Sequence, residues 1–135
     1  MSALSIIPAN LTGNGGSRMI KYETDRGCIR VDEDVFTNLV GDAATSCFGV
    51  RGMAKRSVTD GLVHLLKKES MRKGVYVTYN QDSTISIELH IVIDQGINIP
   101  EACRNIIDEV RYKIKKATGV KLKTVDVYVD SAMGE

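Results

Sequence analysis

The chain has 135 residues, 43% of them hydrophobic and 26% charged, with a net charge of +1. That length supports one domain with a real core, and the charge balance excludes a global pull toward nucleic acid or acidic surfaces. The apolar runs are too short for a membrane span, no secretion signal opens the chain, and three scattered cysteines (Cys28, Cys47, Cys103) fit a reduced, cytoplasmic protein.

Residues 1–18 differ in character from the rest of the chain. They have no sustained period, and Thr12-Gly13-Asn14-Gly15-Gly16-Ser17 has linker composition. The expectation is a flexible leader, derived from cloning, with the natural start at Met19. Residues 20–24 and 28–31 then flank Asp25-Arg26-Gly27 and predict a hairpin, with Gly27 taking a positive φ. Asp32 is placed as an N-cap, and Glu33 and Asp34 suit the positive end of a helix dipole. Val35, Leu39, Ala43 and Cys47, with Phe36, Val40 and Ala44 beside them, predict a helix over 33–47 that Gly49 ends.

Gly49-Val50-Arg51-Gly52-Met53 reads as a turn, 54–59 is ambiguous, and Leu62, Leu65 and Leu66 predict a short second helix near 60–70. Val75, Val77 and Tyr79 alternate as a strand, and 80–83 is a turn. The clearest pattern in the chain comes next: Ile85, Ile87, Leu89, Ile91 and Ile93 recur at period two. This strand, over 84–93, is expected to be central. Asp94-Gln95-Gly96 breaks it. Pro100 suits a first helical turn, and Cys103, Ile106, Ile107, Val110, Ile114 and Ala117 follow a 3.6 period from about 100 to 117, closed by Thr118-Gly119. Lys123 to Val129 is the last strand. Val120 and Leu122 are out of phase with Val125, Val127 and Val129, which predicts a bend or bulge near Thr124. Residues 131–135 are expected to fray.

The order β-β-α-(α)-β-β-α-β predicts an α+β domain over 19–130. Its two layers are a mainly antiparallel or mixed sheet and helices on one face.

No catalytic constellation stands out. His64 and His90 have no metal-ligand partners at the usual spacing and read as surface or rim residues. Asp32, Glu33 and Asp34 are explained by capping. No residue set implies a cofactor or a metal. Two segments carry a functional alternative. Gly49-x-x-Gly52, followed by Lys55 and Arg56 with Arg51 inside it, has the form of a loop that clamps nucleic-acid backbone. A helix-ending turn explains the same glycines. Arg111, Lys113, Lys115, Lys116, Lys121 and Lys123 crowd the end of the last helix and the turn after it. A solvated face at the negative end of the dipole is the ordinary explanation; RNA, anionic lipid or an acidic protein surface is the alternative. Nucleic acid is disfavoured because no aromatic platform accompanies the lysines.

The ordered set Val31-Asp32-Glu33-Asp34-Val35, Gly49-Val50-Arg51-Gly52-Met53, Asp94-Gln95-Gly96, Thr118-Gly119 and Val125-Asp126-Val127-Tyr128-Val129 resembles the alkaline shock protein family of Gram-positive bacteria, also called the envelope stress response or general-stress family. The likeness covers about 19–130, and Asp60-Gly61-Leu62 marks the subgroup. Gln95 stands where many relatives have an aromatic residue, and Asp126 where many have Asn. The resemblance implies a small cytoplasmic protein with no defining enzyme activity. It also implies self-association, and a place near the membrane through a membrane-anchored protein partner, in cell-envelope homeostasis. It carries over no site residues.

Overall fold

The computed structural model describes residues 3–7, 19–56 and 61–134. Most of the expected leader, including 12–17, and Asp60 lie outside them. In chain order the elements are β1 Ala3–Ile7, β2 Met19–Thr24, β3 Gly27–Asp32, α1 Glu33–Thr45, β4 Val50–Arg56, β5 Val63–Leu65, a 3-10 helix Lys68–Gly74, β6 Val75–Tyr79, β7 Ile85–Asp94, α2 Ile99–Thr118 and β8 Leu122–Met133.

β7 organises the molecule. Its alternation puts Ile85, Ile87, Leu89, Ile91 and Ile93 on one face, each at most 1% exposed. On one edge it pairs antiparallel with β6 along Ile85–Leu89 and with β4 along Ile91–Ile93, so β4 and β6 lie end to end. On the other edge β8 runs parallel to it along the whole of 85–94. The result is a mixed sheet. Phe36, Val40, Ala43 and Ala44 of α1 and Ile106, Val110 and Ile114 of α2 close the core over its apolar face. α2 is bounded as its sequence dictates. Asn98 accepts a hydrogen bond from the Glu101 N–H at 3.1 Å, Pro100 occupies the first turn, and Gly119 ends the helix at φ +73°. A second sheet, β1-β2-β3, docks on the core through Ile20. The Tyr22 hydroxyl donates to the Thr118 carbonyl at the end of α2.

Several expectations need correction. Residues 3–7, assigned by composition to the leader, form a strand on β2. The side chain of Asp32 makes no capping bond, although the residue does hold the N-cap position. α1 stops at Thr45, and its buried stripe is Phe36, Thr37, Val40, Gly41, Ala43 and Ala44, whereas Val35 is 42% exposed. The expected turn 49–53 is mostly strand β4, and the expected helix near 60–70 is the three-residue β5 followed by the 3-10 helix. Residues 131–133 do not fray. They continue β8, with the Gln95 N–H donating to the Met133 carbonyl at 3.0 Å. The predicted bulge is present. The register slips at Lys123, where Ile85 faces Leu122 and Ser86 faces Thr124, and slips again at Asp130.

Candidate functional site

The six basic residues at the end of α2 divide by role. Arg111 is a clamp: its two terminal nitrogens donate to the carbonyls of Leu122 and Lys123 at 3.0 and 3.3 Å, tying α2 to the start of β8. The Lys113 ammonium lies 3.3 Å from the Asp42 carboxylate and joins the two helices. Lys115, Lys116, Lys121 and Lys123 are exposed. Lys116 sits over the Tyr112 ring, 5.5 Å from its centroid. The lysines therefore crown one end of the domain, but two of the six cations hold structure.

The glycine segment is no loop. Gly49 sits at φ +87°, in the left-handed region, and a Cβ there would lie 2.4 Å from Ile97 Cδ1. A Cβ on Gly52 would lie 2.9 Å from Leu65 Cδ1. Both glycines admit close neighbours. Arg51 pairs with Asp94 at 3.0 Å, joining β4 to the end of β7. β4 continues through Lys55, which is paired with His64 of β5, and Arg56. With Val50 to Gly52 in strand β4 and the Val50 N–H donating to the Cys47 carbonyl, Gly49-x-x-Gly52 is not the open loop between helices that clamps a phosphate backbone. Replacing Gly49 with alanine should cost about 1–3 kcal/mol through strain and overpacking. Urea denaturation reads this, and an unchanged midpoint would refute it.

A cluster that no sequence pattern signals lies on the sheet face opposite the helices. His90 of β7 has its Nδ1 3.0 Å from an Asp130 carboxylate oxygen and its Nε2 2.9 Å from one of Glu88. Its ring stacks on Tyr128 at 4.8 Å and 12°, and Tyr76 meets it edge-on at 5.6 Å. With both nitrogens occupied, His90 is a clamp between β7 and the second bulge of β8. Cys47 and Cys103 offer no activated thiol either. Burial, seconded at Cys47 by the Glu109 carboxylate, pushes the Cys47 thiol up, and burial alone does so at Cys103. Among the described residues no cluster of His, Cys, Asp and Glu is arranged to hold a metal ion.

What the arrangement does present is an edge. β8 is 12 residues long and, among the described residues, pairs only with β7. Its two bulges flank a regular run, Thr124-Val125-Asp126-Val127-Tyr128-Val129, rich in β-branched and aromatic residues and free of Pro and Gly.

These features define an α+β domain that offers a strand edge and a basic end. Residues 21–133 match the model of the alkaline shock protein 23 family, described as having a cell envelope-related function, and the chain belongs to that family. It is 36% identical over 113 residues to the uncharacterized protein Spy1614 of Streptococcus pyogenes, covering 83% of this chain and 93% of that one. It is 32% identical over 111 residues to the uncharacterized protein YloU of Bacillus subtilis, covering 82% and 92%. Among solved structures, the C-terminal domain of MamM is similar at a TM-score of 0.46 and 15% identity, covering 75% of this chain and 99% of that one. That likeness is too distant to bear on what this chain does. Among the described residues, no helix is long and apolar enough to cross a membrane.

Proposed function

We propose that this protein acts without turnover, as a self-associating cytoplasmic component of cell-envelope homeostasis and stress response that works through protein partners near the membrane. The observation that carries this reading is the open edge of β8. A strand of 12 residues with one edge unpaired among the described residues presents a row of backbone donors and acceptors to another strand. Arg111 occupies carbonyls only at the start of the strand, at Leu122 and Lys123. The regular run 124–129 lies beyond them.

Pairing of two such edges is held by main-chain hydrogen bonds and apolar contact, which salt screens little. Light scattering after gel filtration of the full chain is therefore expected to give an oligomer that persists at high salt. Thr124→Lys combined with Asp126→Lys places two cations on the edge and should reduce that mass. A monomer at every concentration and salt would overturn the reading.

A further inference from the structure

The most exposed large apolar side chain among the described residues is Phe48, at 88%. It does not hang on a loose loop. The segment between α1 and β4 is closed by hydrogen bonds from the Cys47 N–H to the Ala44 carbonyl at 3.2 Å and from the Val50 N–H to the Cys47 carbonyl at 3.4 Å. The next residue, Gly49, is wedged against Ile97. Phe48 is thus a fixed knob.

Open clefts flank it on both sides. One, of about 410 Å³, is lined by Ile97, Asn98, Glu101 and Ala102 at the start of α2. The other, of about 560 Å³, is lined by Cys47, Asn105, Asp108 and Tyr112, and Tyr112 is itself 58% exposed. Knob and hole side by side on one surface are self-complementary under two-fold symmetry: each copy's knob meets the other's hole.

The charges on α2 support the same pairing. The exposed charged residues toward its start are Glu101, Arg104 and Asp108, and those toward its end are Arg111, Lys115 and Lys116. A two-fold axis crossing α2 at right angles runs the two helices antiparallel. The start of one, where carboxylates outnumber cations, then faces the wholly basic end of the other, at both ends of the contact.

We infer that Phe48 and the outward face of α2 form an interface with a second copy of this chain, separate from the β8 edge. The inference rests on the self-association reading above and gives it a second surface. Each buried Phe contributes about 150–250 Å², less than the roughly 1,200–2,000 Å² of a stable interface. Phe48 is therefore the anchor, and Tyr112 and the α2 charges supply the surround. Two different isologous contacts on one chain link copies beyond a closed dimer.

The test is sedimentation equilibrium on the full chain. Phe48→Ser is expected to raise the dissociation constant of one step at least tenfold while leaving thermal unfolding of the fold unchanged, since the side chain packs on little of its own chain. Glu101→Lys or Lys116→Glu alone should weaken the same step, and the two together in one chain should restore it. If Phe48→Ser leaves the mass distribution at the wild-type value, or if the charge pair does not restore association, the inference falls. Self-association still stands in that case if the Thr124→Lys, Asp126→Lys variant reduces the mass. A wild-type monomer at all concentrations sinks both.

Discussion

Leu89→Ala is expected to destabilise the fold by about 2–5 kcal/mol, the range for deleting a fully buried leucine side chain. Leu89 is 0% exposed and sits between Val75 of β6 and Val127 of β8, at the centre of β7. The walls around it are strands held in ladders on both edges, so they relax little and the cavity persists. Persistence sets the size of the effect, because the loss is the transfer term plus a term that grows with the residual void. Val35→Ala is the control. Periodicity alone places Val35 on the apolar face of α1, but it is 42% exposed, and its loss should fall within about 0.5 kcal/mol. Urea titration of both variants reads the difference as a midpoint shift at constant slope. Equal losses, or a Leu89→Ala loss below about 1 kcal/mol, would mean that β7 is not the centre of the core.

Leu89 and Val35 also mark the boundary of what was legible in the sequence. The period of β7 and the caps of α2 are local signals, and both elements stand where they were read. The bulge at Lys123 was legible because a slip in register moves the apolar residues out of phase along one strand. β4 was hidden because two glycines read as punctuation. Their reason lies in Ile97 and Leu65, neighbours that no local window contains. The leucines at 62, 65 and 66 fit a helical spacing, yet β5 forms because β4 offers it an edge. Residues 131–133 have no strand pattern of their own and are ordered by pairing with Val92, Ile93 and Asp94.

The basic end of α2 was legible as a charge run, but not the division between Arg111 and Lys113, which hold structure, and the lysines that face solvent. That division needs the carbonyls of β8 and the carboxylate of Asp42. Phe48 was legible only as one more apolar residue near a helix end. Its exposure follows from where α1 stops. The helix ends at Thr45, with Ser46 as its C-cap, and the chain is buried again only at Gly49, one residue beyond Phe48.

His90→Ala is the second large effect, expected at about 1–3 kcal/mol, the cost of stranding polar groups that have lost a hydrogen-bond partner. In the sequence His90 is only a polar residue on the outer face of a strand. Its partners become visible once β8 lies parallel to β7 in a register that sets Tyr128 beside it, with Asp130 in the bulge. The substitution leaves Glu88 and Asp130 on either side of the vacated space as two unpaired carboxylates. The Asp130 side chain is only 12% exposed, so water compensates little there. It also removes the stacked contact with Tyr128. Asp130→Ala removes one of the stranded acids. The double variant should therefore lose less than the sum of the two singles, by about 0.5–3 kcal/mol of coupling. Strict additivity, or a His90→Ala loss below about 0.5 kcal/mol, would show that the contacts contribute nothing to the clamp. The consequence reaches the proposed function through β8. The clamp fixes the strand at its second bulge, and Arg111 fixes it at the first. A chain that lacks His90 should therefore hold the run 124–129 less firmly and associate through that edge more weakly, at a temperature where the rest of the domain remains folded.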